Sequence, residues 1–177
     1  MQLIDSIVPE KASGQVAEIY SDITKVFGRV PNAMQIYSAS PALLAQQWQA
    51  TGYYFTHPKL SRPLLATIRL LVSEENKCAY CIGFNAGMLV NMAGWTPEQV
   101  TATKRDAGAA PLPEKEKALL RFVLKVVNRR EAATRAEIDA LIGLGWTQAD
   151  ILDAVAHGAR NVSVDIVFNA FQIENDF

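Results

Sequence analysis

The stretch that most constrains this chain is Ser73 to Gly94, SEENKCAYCIGFNAGMLVNMAG. It holds the only two cysteines of the sequence, Cys78 and Cys81, as a C-x-x-C pair. The pair opens an apolar run, Ala79 to Ala93, that reads as a buried helix stopped by Gly94. Two thiols at this spacing sit about one helical turn apart and can join if the first lies at the helix start. A thiol there sees the positive end of the helix dipole and unpaired backbone N–H groups. Both favour the thiolate, which is the reactive species. The plainer reading is a pair of buried structural thiols. Gly83 and Gly87 lie on the same helix, where each costs about 1 kcal/mol relative to Ala. The close approach of another helix, from this chain or a second subunit, would account for them.

The rest of the chain reads as helices with recognisable punctuation. Apolar residues at Val16, Ile19, Tyr20, Ile23, Val26 and Phe27 have helical spacing, and Gly28 is a stop signal. Val30-Pro31-Asn32 breaks the chain before a short segment around Met34 to Tyr37. Ser40-Pro41 opens a helix through Leu43, Leu44 and Trp48 toward Tyr54, with Ser40 as N-cap. Ser61 caps the next, whose buried face carries Leu64, Leu65, Ile68, Leu71 and Val72. Thr96 and Gln99 form one capping box, Thr134 and Glu137 a second. A polar link, Arg105 to Pro113, precedes an amphipathic helix at about Glu114 to Asn128. Gly145-Trp146-Thr147 repeats Gly94-Trp95-Thr96, a weak sign of duplication. The last helix runs from about Gln148 to Phe171. Its segment 162–168, VSVDIVF, has strand-like composition but sits inside a longer helical pattern. The expected fold is all-α, with eight or nine helices in a single domain: an N-terminal arm and helix (1–30), a cysteine-containing half (31–110) and a second helical half (111–177).

Composition excludes several function classes. Half of the 177 residues are hydrophobic, enough for a sizeable core, and the net charge is −1 with no basic tract. Nothing points to nucleic acid or to an anionic membrane surface. No apolar run is long enough to cross a bilayer, and the N-terminal MQLIDSIVPEKASG lacks a signal-peptide pattern, so a cytoplasmic location is expected. In a reducing cytosol two cysteines mean redox chemistry or metal more often than architecture. A zinc site would need two further ligands, and His57 and His157 are the only histidines.

Other polar residues carry weaker signals. Asn85 lies one turn below Cys81 on the same helix face, as a site group or a satisfied core amide. Glu74 and Glu75 precede the cysteines and could accept a proton, though such a pair more often marks a solvated helix end. His57, before Pro58, reads as a surface or lid residue. His157, Arg160, Asn161 and Asp165 give the last helix a polar stripe that would line a cavity or pair across an interface; as a catalytic set it is weak.

The K-C-x-Y-C start of the cysteine helix, preceded by Leu60-Ser61 and an apolar run ending VSEEN, resembles the carboxymuconolactone decarboxylase/AhpD-like superfamily, in its peroxidase-related branch. The likeness extends to Val30-Pro31-Asn32, Ser40-Pro41, the 114–128 helix and Gly145-Trp146-Thr147. It implies an all-helical homo-oligomer that uses Cys78 and Cys81 as a thiol couple and needs no bound cofactor. A peroxide or disulfide would be the substrate and an external dithiol the reductant. By that resemblance Cys81 attacks the peroxide and Cys78 is the partner for exchange. Redox-active members carry a His four residues after the second Cys, where this chain has Asn85, and a Glu twelve before the first, where it has Ala66. The residue before the second Cys, His in some members, is Tyr80. The family's proton relay is therefore missing from its usual positions, and slow peroxide turnover is expected. A non-peroxidatic binding or redox-sensing oligomer is the alternative. Lactone decarboxylation is disfavoured because the family's acid/base positions are empty.

Overall fold

The computed structural model describes residues 2–177 and, among them, holds nine α-helices, three short 3-10 turns and no strand. The helices are α1 (Gly14–Phe27), α2 (Asn32–Gln35), α3 (Pro41–Phe55), α4 (Arg62–Asn76), α5 (Ala79–Ala93), α6 (Pro97–Arg105), α7 (Glu114–Val127), α8 (Arg135–Gly143) and α9 (Gln148–Ala170). The expected all-α class is observed, and 162–168 lie within α9. There the strand propensity of the valines yields to the helical context, propensity being a weak prior.

The chain forms two compact units. One comprises the residues through Thr56 together with Val167–Phe177. In it α1 packs on α3 through Phe27, which meets Trp48 and Phe55 edge-on. Gly28 closes α1 in the left-handed region, where a Cβ is costly. Ser40 holds the N-cap position of α3, but its side chain makes no capping bond.

The other unit, His57–Ile166, carries the cysteines. Its core is the α4–α5 pair with α7 against α4. Leu64, Ile68, Leu70, Val72, Leu89, Leu119, Leu120 and Val123 are all but fully buried. Ser61 caps α4 by accepting from the Leu64 N–H, and both capping boxes form with their reciprocal bonds. Glycine packing differs from the sequence reading. A Cβ on Gly87 would meet only Asn91 Nδ2 at 3.9 Å, so no helix of this chain explains that residue. Gly158 on α9 is the tight one: a Cβ there would lie 3.1 Å from methyls of Val123 and Val127.

Candidate functional site

The site begins with how α4 ends. Lys77 adopts the left-handed conformation (φ 55°), and its N–H reaches the Glu74 carbonyl while the Cys78 N–H reaches the Ser73 carbonyl. This is a Schellman closure, and it leaves no room for a loop. Cys78 is at once the residue that closes α4 and the N-cap of α5. Its sulfur accepts from the Cys81 N–H at 3.4 Å. Cys81, in the first turn, brings its sulfur to 2.6 Å from that of Cys78, the Cys78 thiol donating. Both are free thiols and both are buried.

The third group comes from far along the chain. Asp165 of α9, 0% exposed, places its carboxylate beside the two thiols: the two sulfurs and a carboxylate oxygen all lie within 4.8 Å of one another. Oδ1 accepts from Ser73 Oγ at 2.8 Å, and Oδ2 from Asn76 Nδ2 and Asn161 Nδ2 at 3.0 Å each. Asn161 also donates to Ser73 Oγ at 2.8 Å. Ser73 thus holds Cys78 through its carbonyl and Asp165 through its hydroxyl. The Cys81 thiol is pushed well up from its ordinary range, first by its bond with Cys78, then by burial, and by the bond and negative charge of Asp165. The helix-start argument led to the opposite expectation for the pair. At Cys81 the carboxylate and the burial outweigh the dipole.

A second cluster adjoins the first. Arg69 of α4 donates from Nε to Asn85 Oδ1 at 2.7 Å, and Asn85 Nδ2 donates to the Cys81 carbonyl at 2.8 Å. Arg69 Nη1 lies 3.2 Å from His157 Nε2. That nitrogen also lies 3.3 Å from the Leu65 carbonyl oxygen, so it faces a donor on one side and an acceptor on the other. Burial first, then the Arg69 charge, holds His157 well below the usual histidine range. Burial brings Arg69 down to about 10, and it stays cationic near neutral pH.

The remaining sequence candidates lie as follows. Asn85 is buried as the link between Arg69 and Cys81. Tyr80 is buried and stacks on Phe84, with rings 6.1 Å apart and 12° from parallel. Ala66 is buried on α4 and, as a methyl, moves no proton. Glu74 is paired with Lys104 at 2.7 Å, and Glu75 is exposed. His57 braces a turn, its Nδ1 accepting from the Lys59 and Leu60 N–H groups and its Nε2 3.3 Å from Asp153. Arg69, Ser73 and Asn76 escaped the sequence reading. The signal for Arg69 was one cation in the otherwise apolar LLATIRLLV.

Cys78, Cys81 and Asp165 also have donor types that suit zinc. Around one tetrahedral zinc, two thiolates at about 2.3 Å each would stand about 3.8 Å apart. Sulfurs at 2.6 Å, with carboxylate oxygens already bonded to Ser73, Asn76 and Asn161, fit a dithiol better than that ligand set.

No protein-family model matches the sequence. An alkyl hydroperoxide reductase of Mycobacterium tuberculosis is 29% identical over 108 residues, a match that covers 61% of this chain and 30% of that protein. The chain thus spans under a third of the length of the curated relative it matches. Among solved structures, an uncharacterized peroxidase-related protein from Silicibacter sp. TM1040 superposes with a TM-score of 0.85 at 19% identity, over 99% of this chain and 92% of that one. A second, from Ralstonia eutropha JMP134 and described as an alkylhydroperoxidase AhpD core, gives 0.78 at 19% identity, over 98% and 94%. The debrominase Bmp8 gives 0.72 at 14% identity, over 92% and 86%. The chain thus shares its all-helical fold with structures described as peroxidase-related and as an AhpD core, and part of its sequence is similar to an alkyl hydroperoxide reductase.

Proposed function

We propose that the protein is a thiol-dependent peroxidase or disulfide oxidoreductase working through Cys78 and Cys81. The observation that carries this is the pair of buried sulfurs 2.6 Å apart across the first turn of α5. In the peroxidatic cycle Cys81 sulfur attacks one peroxide oxygen, the O–O bond breaks, and Cys81 becomes a sulfenic acid as water or an alcohol leaves. Cys78 sulfur then displaces the sulfenic hydroxyl as water and forms the Cys78–Cys81 disulfide. An external dithiol reduces it by two exchanges and is itself oxidised. The alkyl hydroperoxide reductase relative supports a peroxide as the oxidant.

A homo-oligomer belongs to the same proposal. Ile82, Phe84, Met88 and Val90 of the apolar helix α5 are only partly covered by their own chain, and Met92 is 57% exposed. A second reading, a non-peroxidatic redox sensor or binding protein of this fold, is favoured by the raised Cys81 thiol and by Ala66 and Asn85 at the relay positions.

Thiol titration tests the function. Stoichiometric hydroperoxide should remove two thiols per chain and a dithiol should restore them, with Cys78→Ser trapping a sulfenic acid on Cys81. Tribromopyrrole, which is bound in a structure of the debrominase, serves as an alternative electrophile in the same assay. Thiols that remain alkylatable after every oxidant would refute the dithiol reading. Loss to a disulfide oxidant but not to peroxide would favour the sensor.

A further inference from the structure

We infer that Asp165 is the proton-transfer residue of this dithiol site, taking over on α9 the task that Ala66 and Asn85 cannot perform; the inference rests on the proposed thiol chemistry. Cys81 is a buried thiol held protonated by its surroundings, yet attack requires a thiolate. A carboxylate oxygen of Asp165 on α9 lies within 4.8 Å of that sulfur. Its three other donors, Ser73, Asn76 and Asn161, fix it in place without filling it, because two carboxylate oxygens offer about four acceptor sites.

The step balances without a further reagent. As Cys81 sulfur bonds the peroxide oxygen, its proton passes to Asp165. The departing hydroxide or alkoxide takes a proton from Asp165, so the carboxylate is regenerated when water or alcohol leaves. During reduction a dithiol attacks Cys78 and gives its thiol proton to Asp165, and Asp165 passes that proton to Cys81 as this sulfur leaves. The other titratable neighbours are Cys78 at the start of α5, Arg69 on α4 and His157 on α9. Arg69 is cationic and cannot accept a proton, and burial beside that cation disfavours a proton on His157, so neither is the acceptor for Cys81.

Asp165→Asn keeps the shape and removes the proton acceptor. The carboxylate's charge disfavours the Cys81 thiolate, so the variant's thiol should react faster with iodoacetamide, whose iodide leaves unprotonated. Its oxidation by hydrogen peroxide should instead fall about 10²–10⁴-fold, the usual worth of a positioned acid/base. Reduction of its disulfide by dithiothreitol should slow as well. A purely structural role would move both thiol reactions the same way. Peroxide and dithiothreitol rates that keep pace with the alkylation rate would overturn the inference. Wild-type thiols inert to peroxide but open to a disulfide oxidant would overturn the peroxidase reading alone, and the dithiothreitol comparison would then decide the role of Asp165. If the variant does not fold, the wild-type pH profile decides. A thiol oxidation rate level from pH 8 to 6 supports Asp165 as acceptor; a tenfold fall per unit, the signature of pre-ionised thiol, refutes it.

Discussion

Lowering the pH through the ordinary histidine range should destabilise this protein through His157. The ring is 6% exposed, and its Nε2 faces Arg69 Nη1 at 3.2 Å. A positive charge on the ring would set two buried cations against each other. The folded pKa is therefore depressed, while in the unfolded chain it is near 6.5. A depressed group gives stability that is complete above the unfolded pKa and is lost as pH falls toward the folded one. Between pH 7.5 and 5.5 the unfolded state goes from about one-tenth to about ten-elevenths protonated at this residue, while the folded ring, held well below its ordinary range, takes up less. Linkage then makes the loss at most about 1.4 kcal/mol for this one group. The assay is urea unfolding at both pH values for wild type and His157→Gln, whose amide oxygen can still accept from Arg69. The variant starts from its own stability, and only the difference in pH dependence counts. Wild type should lose more than the variant over this interval, by at most about 1.4 kcal/mol. Equal losses would mean that His157 takes up its proton in the folded state and that the Arg69 contact does not hold it neutral.

Two further predictions concern packing. Gly158→Ala adds a methyl that would lie 3.1 Å from stiff valine methyls on α7 and 3.4 Å from Ile68 on α4, so overpacking of about 1–3 kcal/mol should outweigh the ordinary helix gain of about 1 kcal/mol. A variant that melts higher than wild type would show that the α7 valines yield. The proposed assembly predicts more than one chain per particle at micromolar concentration, and Met92→Glu on the uncovered part of α5 should weaken it. A wild-type monomer in light scattering refutes it.

The helices were legible because their ends are written in local chemistry. Pro97 after Thr96, Gly94 in the left-handed region and the Thr134/Glu137 box each act within a few residues, so sequence neighbours suffice to find them. Ser40 shows the limit: the residue type and position suit a cap, yet the bond does not form. The glycines show another. Gly87 looked like a contact and meets no other helix of its chain, whereas Gly158, which drew no notice, is where α9 comes close to α7. Spacing along one helix says that a small residue is unusual; it does not say which helix is opposite.

The site divides along the same line. Cys78 and Cys81 were visible because only two residues separate them. Asp165 was visible only as part of a stripe, since it lies 92 positions along the chain from the Ser73 hydroxyl that holds it. Yet the stripe contained the answer in a form that burial makes readable. His157, Asn161 and Asp165 recur every fourth residue on a helix whose inward positions also carry Ile151, Ala154 and Phe168. Polar groups on such a face are buried with the apolar ones, and buried polar groups must be satisfied by partners. The partners available are the few polar side chains on the facing apolar helix, and in RPLLATIRLLVSEEN these include Arg69, Ser73 and Asn76, the residues that in fact receive the stripe. Matching the two polar rows, each improbable alone in a core, would have brought Asp165 beside the C-x-x-C pair before any coordinates. That match also places the Asp165 carboxylate, buried among the described residues, beside the two thiols.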